Sequence, residues 1–318
     1  MSDALAIPTP GGVTPARFAF PAMLTGSACL AFGPWLVRLA DVAPIASAFW
    51  RLGLAALPLV VLARIASVSG GVSGGVARRV AARPTLAALA AIALAGAFFA
   101  SDLALWHLGI ARTTLANATL MGNSASFILP AYGFVVARAW PGRAAAAALL
   151  CAATGIGLLL GRSADVSGMH LIGDLLCMGA GAFYALYFIA VDRVRAQVAP
   201  LTLHALATLF GALALLPVAL VATQANATAF WPHDWTPLVL LAIGSQVVGQ
   251  GLIIFAMGYL PPLVIGLTLL IQPAISATIG ALRFGEGVGA AEAVGMGLVA
   301  AALVLVRLPS RRGAARAA

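Results

Sequence analysis

Lysine is absent from the 318-residue chain. A Walker A loop needs its Lys and a retinal or pyridoxal Schiff base needs a Lys amine, so self-powered ATP hydrolysis and light-driven pumping are excluded. Charge of either sign is scarce as well. Asp, Glu, Lys and Arg together make up 8% of the residues, against roughly 25% in an ordinary soluble domain. Apolar residues account for 62%. So few charges cannot cover a water-facing surface, and lipid must be the main solvent. Cysteine is equally sparse. Cys29, Cys151 and Cys177 each sit inside an apolar run, which provides neither a disulfide framework nor a metal-ligand cluster.

The charge that is present has one dominant sign. Eighteen Arg stand against nine acids, for a net charge of +9, and most of the Arg fall in gaps between apolar stretches. That distribution suits loops held against anionic lipid headgroups rather than a groove for nucleic acid. With the N-terminus inside, 13 Arg fall on the inner side and four on the outer. The positive-inside rule therefore predicts a multi-pass protein of the bacterial inner membrane with both termini in the cytoplasm. Residues 1–17 are rich in Pro, Gly and Thr and lack a basic n-region and a cleavage site. They read as a disordered cytoplasmic tail rather than a signal peptide, and 309–318 reads as a second tail.

Crossing about 30 Å of hydrocarbon takes about 20 helical residues. Ten apolar runs of that length lie between Arg, Pro, Asp or Gly-rich interruptions: 18–38, 43–65, 85–107, 113–137, 142–161, 170–192, 200–222, 237–258, 262–283 and 287–308. Only 66–84 and 223–236 are long connections, so most neighbours must be antiparallel in a compact helical bundle. The runs lack the period-2 alternation of a membrane β-barrel.

The chain also resembles itself. Val42-Ala43-Pro44 is followed by Gly53 and Pro58, and Val198-Ala199-Pro200 by Gly211 and Pro217. An offset of 149 sets Gly109 on Gly258, Trp106 on Phe255, Thr119 on Thr268 and Asn123 on Gln272. The expected fold is thus an all-α membrane protein of ten transmembrane helices, built as two five-helix repeats over 18–162 and 170–308. Five is odd, so the second repeat enters the membrane inverted, as in many secondary transporters.

Ten spans in two five-span halves, with Pro273 followed by Gly285-Glu286 at the end of the ninth, resemble the drug/metabolite transporter superfamily. Within it the chain is similar to the EamA-type exporters, and among these to the YddG-type amino-acid exporters, over about 18–308. The first half departs from that pattern, with Trp140-Pro141 where the second has Gly285-Glu286. The resemblance implies export of small metabolites, often amino acids, through a cavity between the halves. It assigns no substrate residue.

An enzyme in the membrane needs paired acids, a nucleophile with its base, or clustered His ligands. The four histidines, His107, His170, His204 and His233, fall in different segments, mostly near span ends, and read as interfacial residues. No metal site and no cofactor are predicted. Mid-span ionisable residues are expensive in lipid and count as functional candidates. Arg51 and Asp102 qualify, at matching depths on consecutive spans, and are expected either to pair as a gate or to point separately into a water-filled cavity. Asp174, Glu286 and Glu292 lie near span ends, where they can meet water. For substrate, the polar-to-polar matches under the offset point to Asn123 with Gln272 and Ser101 with Gln250. Gln246 shares a helix face with Gln250. Phe98, Trp106 and Tyr184 are the aromatic candidates for a side-chain pocket.

These residues predict a secondary transporter of small molecules working by alternating access, and the resemblance adds amino acids as the substrate class. A membrane-embedded enzyme acting on lipid and a passive metabolite channel are the alternatives. The expected partners are the bilayer and a small solute, without nucleic acid; monomer and homo-oligomer both stay open.

Overall fold

A computed structural model describes residues 15–69, 84–138, 142–161, 168–225 and 228–285, together with a few isolated positions between 290 and 305. Among the described residues every regular element is a helix. Seven helices are long and apolar enough to cross a membrane: Ala16–Leu39, Pro44–Ser67, Leu86–Ile110, Gly168–Val194, Pro200–Ala225, Thr236–Met257 and Pro262–Phe284. They match seven of the expected runs. The run 287–308 is described only at those isolated positions, and the tails 1–14 and 309–318 and the acids Glu286 and Glu292 lie outside the described residues.

The first run is α1 (Ala19–Ala31) and α2 (Gly33–Leu39), with Pro34 in the first turn of α2, where a missing N–H does no harm. Then come α3 (Pro44–Ser69) and α4 (Leu86–Ile110), the latter capped by the Thr85 hydroxyl, which accepts from the Ala88 N–H at 3.1 Å. The fourth run is not one helix. It divides into α5 (Leu115–Gly122) and α6 (Ala125–Ala137). After α7 (Arg143–Gly161), α8 (Gly168–Val194) and α9 (Pro200–Ala225), the eighth run is α10 (Thr236–Leu240), a ten-residue π-helical segment Leu241–Gln250, and α11 (Gly251–Met257). The ninth divides into α12 (Pro262–Leu269) and α13 (Ile271–Phe284). Gly285, at φ 65°, ends α13 in a left-handed cap that glycine adopts without strain.

The fourth run breaks at Asn123-Ser124 and the ninth at Leu270, two residues before Gln272, so the two breaks fall within three residues of each other under the 149 offset. A Thr back-bond precedes each. The Thr119 hydroxyl donates to the Leu115 carbonyl and the Thr268 hydroxyl to the Val264 carbonyl, each at 2.7 Å. Such back-bonding competes with the helix ladder and bends the chain.

The core centres on α4, which packs against α8 and α9, and on α9 against α3. Small residues allow this approach: a Cβ on Gly96 would lie 2.8 Å from the Ala207 carbonyl, the close backbone contact typical of membrane bundles. Leu57, Leu86, Val135 and Leu282 stand exposed on the outside, a surface matched to lipid tails rather than water.

At one end of the bundle a clasp ties the 228–235 segment to the 40–43 turn. The Asp41 carboxylate accepts from the His233 N–H at 2.8 Å and the Asp234 N–H at 3.3 Å, and Ala43 N–H donates to the Ala229 carbonyl at 2.9 Å. Trp50 donates its indole N–H to the Phe230 carbonyl at 2.7 Å and packs against Phe230, Trp231 and Trp235. The His233 N–H, ahead of the other donors, holds the Asp41 carboxyl below its usual value. A carboxyl depressed by folding contributes above its unfolded pKa and loses that contribution as pH falls through the lowered value. The clasp is therefore expected to stay shut at neutral and mildly acidic pH and to open only in strong acid. Pepsin cleavage within 228–235 along an acid series checks this; cleavage that already rises in mild acid contradicts it.

Candidate functional site

A cavity of ≈ 40 Å³ lies in the middle of the bundle. The first half of the chain supplies most of its wall: Leu30 from α1, Arg51 from α3, Phe99, Asp102, Leu103 and Trp106 from α4, and Thr119, Gly122 and Asn123 from the broken end of α5. The second half contributes Tyr184 from α8, Gln250 from the π-helical segment and Gln272 from α13. The broken fourth and ninth runs and the π-helical eighth each bring one amide to the same space. A volume of this size holds a few waters, so helices must separate before a larger solute can enter.

Of the residues expected from sequence, Arg51, Asp102, Trp106, Asn123, Tyr184, Gln250 and Gln272 line the cavity. Ser101 does not; its hydroxyl turns back to the Ala97 carbonyl at 3.0 Å. Phe98 packs near Phe183 instead. Gln246 stands behind the wall, where its Oε1 accepts from Arg51 Nε at 3.3 Å and its Nε2 donates to the Thr208 hydroxyl at 3.0 Å. Thr119 and Gly122, which sequence reading did not assign to the site, come with the break after Gly122.

Arg51 and Asp102 are 2% and 8% exposed. They face one cavity and influence each other electrostatically, yet no ion pair joins them among the described residues. Arg51 is held by Gln246, with its guanidinium carbon 5.9 Å from the Trp106 ring centre. Among the described residues the side-chain N–H groups of Gln250 and Gln272 have no hydrogen-bond partner, although Gln250 lies against the Tyr187 hydroxyl and its carbonyl accepts from Tyr184 Oη at 3.0 Å. Asn123 donates to the Thr119 carbonyl at 2.7 Å, which fixes its amide at the break. Phe99, Tyr184, Tyr187 and Phe188 stack behind this wall.

Three sequence expectations need correction. His107 and His204 are not interfacial but fully buried. The His204 ring Nε2 meets the Gln246 carbonyl at 2.8 Å, a carbonyl within the π-helical stretch, so tertiary contact outweighs proximity to a span end. Asp174 does not meet water. It is buried and accepts from the Thr113 hydroxyl at 2.7 Å and from Asn117 Nδ2 at 3.4 Å. Among the described residues no group of His, Cys, Asp and Glu could hold a metal ion.

A lipid-facing helical bundle built around a small, charged and amide-lined cavity has the construction of a membrane transporter. Residues 171–308 match the EamA-like transporter family. The threonine/homoserine exporter RhtA of Escherichia coli strain K12 is 32% identical over 155 residues, 48% of this chain and 51% of that protein. Its namesake in Salmonella typhimurium strain LT2 is 32% identical over 139 residues, covering 43% and 46%. An uncharacterized transporter of Archaeoglobus fulgidus is 27% identical over 140 residues, covering 44% and 48%. The chain spans about half the length of the curated relatives it matches. A solved crystal structure, 15% identical, superposes with a TM-score of 0.63 over 95% of this chain and 99% of that one, so the fold is shared along nearly the whole length. Residues 171–308 are thus similar to EamA-like transporters, and about half of the chain is similar to named exporters.

Proposed function

We propose that the protein exports small metabolites, with amino acids as the substrate class, by alternating access of two inverted five-helix repeats, with the N- and C-termini of the chain both in the cytoplasm. The carrying observation is the cavity itself, where buried charge from the first half and the amides of Gln250 and Gln272 from the second meet inside an otherwise apolar bundle. Buried polar groups without partners are costly in a membrane protein, and a polar solute would supply the missing partners. The paired breaks beside Asn123 and Gln272 favour the repeat reading, since transporter sites sit where discontinuous helices of two repeats meet near the midplane. The small volume favours a reorienting carrier, because helix separation must precede binding. The name of the RhtA relatives suggests threonine and homoserine as first substrates to try.

The test is saturable uptake of a panel of amino acids by proteoliposomes. Gln250→Ala and Gln272→Ala are each expected to raise the half-saturating concentration about three- to tenfold, the equivalent of one lost hydrogen bond, with protein level and thermal stability near wild type. Unchanged saturation in both variants would leave these amides as packing groups.

A further inference from the structure

Two opposite charges buried in one cavity would be expected to close on each other, because each alone is expensive there. In this bundle they are kept apart. Arg51 is drawn to the side by Gln246, which is itself fixed through its amide to Thr208 and through its backbone carbonyl to His204. The outer nitrogens of the guanidinium have no partner among the described residues. Asp102, on α4, likewise accepts no hydrogen bond among them. The N–H groups of Gln250 and Gln272 are also left over on the same wall. The cavity therefore presents a cation with two amide donors, and an anion separate from them.

We propose that Arg51 and Asp102 are the two poles of a zwitterion site rather than a gate ion pair: the Arg51 guanidinium, with the Gln250 and Gln272 amides, takes the α-carboxylate, and the Asp102 carboxylate takes the α-ammonium. This rests on the amino-acid reading above and narrows it to one recognition rule. A guanidinium accommodates a carboxylate through charge-assisted paired bonds. A substrate bearing both charges lets the two poles neutralise each other through it, whereas a simple acid or amine leaves one pole unpaired. Side-chain selectivity is then left to Trp106, Phe99 and Tyr184, and the common α-centre to the charged pair. Arg51 is preorganised for this role by the α9 and π-helical network, so its orientation does not depend on substrate being present.

Three probes separate the poles: L-threonine, 2,3-dihydroxybutyrate, which replaces the ammonium by hydroxyl, and 1-amino-2-propanol, which lacks the carboxylate. Binding is read as ligand-induced thermal stabilisation of the purified full chain in detergent and as inhibition of labelled threonine uptake. In wild type, threonine is expected to act at concentrations about ten- to hundredfold below either analogue, the effect of one charge-assisted bond. Asp102→Asn should erase the preference for threonine over dihydroxybutyrate while keeping that over the amine, and Arg51→Gln should do the reverse. If neither threonine nor any other amino acid of the panel stabilises wild type, the amino-acid reading fails and takes this proposal with it. If amino acids bind but the wild type accepts the amine or the hydroxy acid equally well, only the zwitterion site is overturned, and that arm needs no variant to fold. Retained discrimination in both folded variants overturns it as well.

Discussion

Gly181→Val is expected to reduce folded protein in the membrane to a small fraction of wild type. A Cβ at this position of α8 would stand 2.6 Å from the Gly122 carbonyl oxygen and 3.1 Å from that of Met121, and would run into the Ser124 hydroxyl. The opposing atoms are largely backbone at the break between α5 and α6, so they cannot swing aside as a flexible side chain can. Overpacking of this kind costs about 1–3 kcal/mol and more where backbone must move, and here it would also shift Asn123 out of the cavity wall. Gly244→Ala is the control, since a Cβ there meets nothing within 4 Å. The comparison is made by thermal unfolding and by the yield of monodisperse protein; wild-type values for the Gly181→Val variant would contradict the close α8 contact.

The second large effect concerns the cavity charges. Removing Arg51 alone strands Asp102 as an uncompensated buried anion, and removing Asp102 strands Arg51. The two charges are not in contact, so each loss leaves one buried charge without its opposite across the cavity, whereas replacing both by apolar groups leaves neither stranded. Arg51→Met and Asp102→Leu are each expected to unfold at markedly lower temperature, and the double variant to recover much of the loss. Transport should be lost in all three, because the double variant restores folding without restoring the poles. Strict additivity of the two losses in the double-mutant cycle would mean that the charges do not interact across the cavity.

These outcomes also separate what the sequence carried from what only the fold could supply. Apolar run length was enough to locate seven membrane helices to within a few residues, because hydrocarbon thickness constrains length so tightly. The offset of 149 pointed to Asn123 and Gln272 as related positions, and both lie in the cavity wall beside helix breaks. The breaks themselves were hidden, since they leave the apolar pattern of their runs unchanged. The π-helical stretch Leu241–Gln250 was hidden for the same reason: its sequence is as apolar and as rich in small residues as the α-helices beside it. Gln250 lies on the cavity and Gln246 behind it, although the pair was expected to share one role. Ser101 was misplaced because a hydroxyl in a helix can satisfy itself on the preceding turn. Arg51 and Asp102 were legible as candidates from burial cost alone, but the side-chain network around Arg51 was not. That network depends on Thr208 and His204 from another helix, and the spacing of charges along a chain carries no information about such neighbours.

The most direct measurement of the central claim is counterflow. Proteoliposomes preloaded with unlabelled L-threonine, or with whichever amino acid of the panel saturates uptake, are diluted into a trace of the labelled compound. A carrier that must reorient with substrate bound at a cavity shared by its two halves will accumulate label transiently above equilibrium, and Gln272→Ala will require a higher preload for the same overshoot. Label that only equilibrates, with flux rising linearly in concentration for every amino acid tried, would contradict the account.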